Sequence, residues 1–325
     1  MKLRRIGSAI AGAAALALVV TGCSGSSTPA ATSAAGSAGS AASSAVASAT
    51  SAAGSSLSSA KSAASSAIAG ATGDSQVLTN AGEGKVTVGI KFDQPGLGQK
   101  NPDGSFSGFD VEVAKYVASK LGVPEGGITF VESKSAEREG LIDRGEVDYI
   151  VATYSITDAR KEKVNFAGPY FVAAQDLLVK SDSTDITGPE AMAGKILCSV
   201  TGSTSAQKVK DNYAADVALQ EYGTYTECVE ALRSGAVDAV TTDNVILAGY
   251  AAQSPNDYKV VGNGFSNENY GVGIHKGDAA GAAAVSAALQ EMITDGSWKK
   301  ALESTVGPSG YTIPAPPTPS AQSGS

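Results

Sequence analysis

EGLIDRGEVDYIV, residues 139–151, and EALRSGAVDAV, residues 230–240, are built alike. In each, a helical stretch stops at a glycine, Val-Asp follows, and the chain runs on through apolar residues. Glycine is the residue that most readily ends a helix, and a short unbroken apolar run fits a strand covered on both faces. Outward from the first stretch, KVTVGI (85–90) alternates as a strand. GFDVEVAKYVASKLG (108–122) sets Val113, Val117 and Leu121 on one helical face, with Asp110 near the helix start, where negative charge is favoured. GITFVES (127–133) is a strand, AEREGLIDRG (136–145) a helix and VDYIVAT (147–153) a strand. Strand and helix in alternation imply a parallel sheet with helices on its faces.

The second stretch sits in a unit of the same kind: KILCSV (195–200), a helix from Ser205, VALQEY (217–222), a helix from Tyr225 and VDAVTTD (237–243). Thr224 and Glu227 form a capping pattern at the start of the second helix. NYGVGIHKGD (269–278) reads as a strand returning to the first unit, and AAVSAALQEMITDGSWKKAL (283–302) as one amphipathic helix. The expected fold is therefore α/β and two-lobed, each lobe a mostly parallel sheet flanked by helices, with two strands crossing between them. Residues 76–181 and 270–312 would form the first lobe, and 182–269 the second. Ligands of such folds lie at the carboxyl ends of the parallel strands.

The ends of the chain are of different composition. Lys2, Arg4 and Arg5 precede an apolar stretch from Ile10 to Val20, the layout of an export signal, too short to span a bilayer comfortably. It closes on VTGC, which resembles the lipobox of bacterial lipoproteins and implies a lipid on Cys23. From residue 24 to about 75 the chain is almost wholly Ala, Ser, Gly and Thr, which cannot form a core. As a flexible tether it would span about 35–45 Å. The tail, residues 313–325, is Pro/Ser-rich and is also expected to be without structure.

Of three cysteines, Cys198 and Cys228 are left as an even pair in an oxidising compartment, so a disulfide between them is expected. Their spacing does not suit zinc, and His275 is the single histidine, so no metal site is expected. The net charge of −8 without a basic patch argues against nucleic acid as a partner. The phosphate-binding pattern GxxxxGK[ST] is absent from the sequence, and no cofactor is expected.

VATYSITDARKEKVNFAGPYF (151–171) places Arg160 just beyond a parallel strand's carboxyl end, with Thr153 and Ser155 beside it. A guanidinium is a planar fork that matches a carboxylate and stays charged. Arg160 is read as an anion clamp, or as a solvated charge paired with Asp158 or Glu162. Together with GSFSGFDVEVAKYVASKLG and GAVDAVTTD, this stretch resembles family 3 of the extracellular solute-binding proteins, which deliver polar amino acids to ABC importers. The segment around Lys91 is most similar to glutamate-binding lipoproteins of Gram-positive bacteria.

The resemblance implies a role for each residue. Arg160 would hold the ligand's α-carboxylate with backbone groups of Ala152 and Thr153 and with Ser155. Ser203 and Thr204 would complete that site from the second lobe, or cap the helix that begins there. Asp243 would receive the α-ammonium, or cap the helix that follows it. Lys91 stands where members that take cationic ligands have an acidic residue, so it implies an acidic side chain, glutamate first, with glutamine, aspartate and asparagine as alternatives. Gln94 and Gln175 are candidates for further hydrogen bonds. The implied protein is a monomer without enzymatic activity, anchored on the extracytoplasmic face of the cell membrane, with permease subunits as partners. A sensory domain and a dehydratase-like enzyme are the other classes hosted by this fold.

Overall fold

The computed structural model describes residues 75–213 and 216–323. The export signal, Cys23 and residues 24–74 of the tether lie outside them. Both expected parallel cores are present. In the first sheet β1 (Val86–Ile90) lies between β5 (Ile128–Glu132) and β6 (Tyr149–Ile150), parallel to both. In the second, β9 (Ile196–Val200) lies between β10 (Ala218–Tyr222) and β11 (Ala239–Asp243), again parallel. Val86, Val88 and Ile90 are buried, as are all of β11, which is what the apolar patterns required.

Antiparallel strands extend both cores, and of these the sequence reading contains the returning strand, β13 (Glu268–His275), but not β8 (Gln175–Lys180) or β12 (Tyr258–Val260). β13 pairs with β6 and with β7 (Val164–Ala173), while β8 pairs with β11 and with β12. The sheet orders are thus β14-β7-β13-β6-β1-β5 and β10-β9-β11-β8-β12, where β14 is Ser320–Gln322. A small antiparallel sheet joins β2 (Asp93–Gln94), β3 (Gly98–Lys100) and β4 (Phe106–Ser107).

Three expectations are corrected. The first passage between sheets is at Ala174, between β7 and β8, and not at residue 181, because β8 bonds into the second sheet. The tail is not wholly without structure, since residues 320–322 pair with Phe166–Gly168 and complete the edge of the first sheet. The long C-terminal helix is two, Ala279–Thr294 and Ser297–Thr305, broken where Gly296 takes φ 83°.

The helix Phe109–Lys120 begins after Gly108 at φ 118°, where a Cβ would sit 2.1 Å from the Leu97 carbonyl oxygen, so only glycine fits. The capping box at Thr224 and Glu227 forms, and the helix it opens, Tyr225–Ser234, stops at Gly235 in the left-handed region. Cys228 of that helix is bonded to Cys198 of β9, as expected. No helix of the described residues is long and apolar enough to cross a membrane.

Candidate ligand-binding site

The carboxyl ends of the parallel strands converge on one polar cavity. From the first sheet it is lined by Ser135 and Arg138 after β5, and by Thr153, Ser155 and Arg160 after β6. From the second come Ser203, Thr204 and Ser205 after β9, Tyr225 after β10, and Thr242, Asp243 and Ile246 at and beyond the end of β11. Six of the ten residues expected from the sequence line this space, Thr153, Ser155, Arg160, Ser203, Thr204 and Asp243, and the other four do not.

Arg160 is held in a short helix, Asp158–Lys161, whose start is capped by the Thr157 side chain. The residue is 8 % exposed, so the surface-charge alternative does not describe it. Nη1 donates to the Ser155 carbonyl at 2.8 Å and Nη2 to the Gly202 carbonyl at 3.2 Å. The nearest carboxylate, Glu139, stands 3.6 Å from Nε and itself accepts from Tyr154 Oη at 2.7 Å. Gly202 allows this approach: a Cβ there would lie 2.6 Å from Ala136 Cα.

Arg138 was not expected from the sequence. It is 3 % exposed and its nitrogens donate to two backbone carbonyls, Ala152 at 3.1 Å and Ser135 at 3.4 Å. Both guanidinium groups lie over the Tyr154 ring, at 4.2 Å for Arg138 and 4.9 Å for Arg160. Burial, and then the charge of Arg160, lower the Arg138 pKa to about 10, which leaves it charged at neutral pH. The signal was available: Arg138, like Arg160, sits in a short helix past the end of a parallel strand.

Lys91, the residue after β1, is buried behind this wall, and Nζ donates to Ser135 Oγ at 2.9 Å. Burial first, and the neighbouring Arg138 second, push it down to about 7. Gln94 and Gln175 are wholly buried behind the lining. Gln94 Oε1 accepts from Thr153 Oγ1 at 3.1 Å, and Gln175 Nε2 donates to the Ser205 carbonyl at 2.6 Å. The Ala152 carbonyl is taken by Arg138 and by Thr153 Oγ1, and Thr153 N donates to the buried Asp110. These bonds hold Thr153 at φ 45°, an unfavourable conformation for a β-branched residue.

In the second wall, Ser203 Oγ accepts from Ser205 N at 2.9 Å, so Ser203 does act at the helix start, while the Thr204 side chain makes no capping bond. The Asp243 side chain does not cap its helix either. It accepts from Tyr270 Oη at 2.5 Å. Burial, and then the buried Glu268 nearby, raise its pKa to about 7. Glu268 is itself paired with Lys208 at 2.6 Å. A cationic wall thus faces an acidic one, an arrangement suited to a small zwitterion.

Residues 86–307 match the family described as bacterial extracellular solute-binding proteins, family 3. The chain belongs to that family. This solute-binding protein is 49 % identical over 251 residues to the glutamate-binding protein GluB of Corynebacterium efficiens, covering 73 % of this chain and 85 % of that one. It is 38 % identical over 215 residues to the glutamine-binding protein GlnH of Bacillus subtilis, covering 66 % and 78 %. Among solved structures, an ancestral arginine-binding protein bound to glutamine superposes with a TM-score of 0.65 at 36 % identity, over 69 % of this chain and 98 % of that one. The solute-binding protein therefore has the periplasmic-binding-protein-like fold that its sequence implied.

Proposed function

We propose that this solute-binding protein captures an amino acid with an acidic side chain, L-glutamate first, and hands it to an ABC importer. The observation that carries the reading is the excess of buried positive charge on one wall. Lys91, Arg138 and Arg160 are all at most 8 % exposed and gather around Ser135 and Ser155. One carboxylate needs one guanidinium, and a buried cation without an anion is costly. A second carboxylate on the ligand answers the remaining charge. Arg160 takes the α-carboxylate with Ser155, Ser203 and Thr204, Asp243 takes the α-ammonium, and Arg138 takes the side chain, with Lys91 acting through Ser135. The name of the relative at 49 % identity supports glutamate. The function is capture and not catalysis, and the protein works as a monomer tethered at the outer membrane face through a lipid on Cys23.

Calorimetric titration with glutamate, glutamine, aspartate and arginine tests the reading. Glutamate is expected to bind tightest. Arg138→Met should weaken glutamate by about 2 kcal/mol, roughly thirtyfold, while glutamine changes much less. Equal losses for both ligands would remove Arg138 from side-chain recognition.

The pH dependence should differ between the two ligands. Asp243 faces Glu268, Lys208, Tyr270 and Arg160, and holds its proton below about 7. An ammonium needs the carboxylate, so that proton must leave, and affinity for either ligand should fall about tenfold per pH unit below this point. Lys91 faces Arg138, Asp93, Glu132 and Arg160, and loses its charge above about 7. Affinity for glutamate should therefore decline again on the alkaline side, whereas glutamine should hold a plateau. Superimposable profiles would exclude Lys91 as a reader of side-chain charge.

A further inference from the structure

The segment that follows β1 reaches the second half of the molecule away from the cavity lining. Asp93 directs its carboxylate at the start of the Tyr225–Ser234 helix, where Tyr225 N donates to Oδ2 at 2.8 Å. Thr224 and Glu227 already cap that helix from its own segment, so Asp93 adds a further anion from β2. Tyr250 Oη donates to the Asp93 carbonyl and also pairs with Thr226 Oγ1 at 3.1 Å. Close by, Gly249 packs on Pro95, where a Cβ would lie 2.3 Å from the Pro95 carbonyl oxygen. Residues 93–95 thus dock on two helices, Tyr225–Ser234 and Asn244–Gln253, which reach the cavity through Tyr225 and Ile246.

We propose that Asp93 is a closure latch: a positioning residue that retains the bound amino acid by holding Tyr225 and its helix, without touching the ligand. The inference rests on the capture reading above. The bond joins β2, just after β1 of the first sheet, to a helix packed on the second sheet, so it is present only while the two halves are together and adds to the stability of that state alone. A carboxylate at a helix start is favoured twice, by the free N–H groups and by the helix dipole. Tyr225 transmits the effect, because its hydroxyl accepts from Thr242 Oγ1 at 2.7 Å and both residues line the cavity.

Stopped-flow binding of L-glutamate to the full chain tests the latch. Asp93→Ala is expected to raise the dissociation rate about tenfold, the size of one charge-assisted hydrogen bond, with little change in association rate. Asp93→Asn, which keeps an acceptor oxygen, should recover part of the loss. Because Asp93 also faces Lys91, Tyr250→Phe supplies a second arm that leaves that charge in place, and it too should speed dissociation. Wild-type dissociation in both Asp93→Ala and Tyr250→Phe, in a protein that binds glutamate, would overturn the latch alone. A wild type that takes up no amino acid would overturn the capture reading and the latch with it.

Discussion

Arg160→Ala is expected to reduce amino-acid affinity by about 2–5 kcal/mol, a factor from roughly thirty to several thousand, measurable by calorimetry. The size follows from where the side chain sits. It is buried, its hydrogen bonds go to the Ser155 and Gly202 carbonyls, and Glu139 approaches Nε only at 3.6 Å. A guanidinium held this way, with Glu139 met only on its Nε side, is placed to take an anion from the ligand. Removing it would leave the ligand's carboxylate desolvated and the two carbonyls without their donors. The loss should be shared by glutamate and glutamine alike, since both carry the α-carboxylate. That common loss distinguishes Arg160 from Arg138, and unchanged affinity for either ligand would end the clamp assignment.

Reducing the Cys198–Cys228 bond, or replacing both residues by serine, is expected to lower folding stability by about 3–4 kcal/mol, the chain-entropy cost of releasing a loop of this length. The residues are 30 apart in sequence, and the loop between them contains the helix Ser205–Asn212, the whole of β10 and the first turn of the helix Tyr225–Ser234. It also contains Ser203, Thr204 and Tyr225, so one wall of the cavity is pinned by this link. A denaturant titration with and without reductant measures the difference. A midpoint unmoved by reductant, with the thiols shown to be free, would mean the loop is held by its packing alone.

The parallel cores were legible because their signals are local. Val113 and Val117 mark a helical face, Gly145 and Gly235 mark the stops, and the strands between are short apolar runs. β7 was not legible, because Gly168-Pro169 interrupts VNFAGPYFVA and reads as a turn, whereas the strand continues through a cis peptide there. β8 hides in a run that carries Gln175 and Asp176, polar residues buried where Gln175 Nε2 donates to Thr241 Oγ1 and Asp176 accepts from Gly262 N. The tail strand has no apolar pattern, and its three residues are ordered by pairing with β7.

Within the site, the residues nearest a strand end in sequence were the easiest to name. Arg160, Ser155, Ser203, Thr204 and Asp243 all line the cavity. Sequence proximity does not give the depth of a side chain, however. Lys91, Gln94 and Gln175 lie at strand ends too, but Ser135, Thr153 and Ser205 stand in front of them. Arg138 was overlooked because AEREGLIDRG reads as an exposed charged helix until β5 and β6 are placed side by side with β1.

Both ends of the described chain are secured to the same sheet. At one end Gln76 and Asn80 bond Asp148 just ahead of β6, and at the other β14 bonds β7. Everything from β8 to β12 is therefore an inserted cassette, entered through Ala174 and left ahead of β13. Such a cassette can turn against the first sheet by backbone changes at those two passages alone. The first sheet keeps both of its ends through such a turn, because neither β14 nor the bonds to Asp148 belong to the cassette.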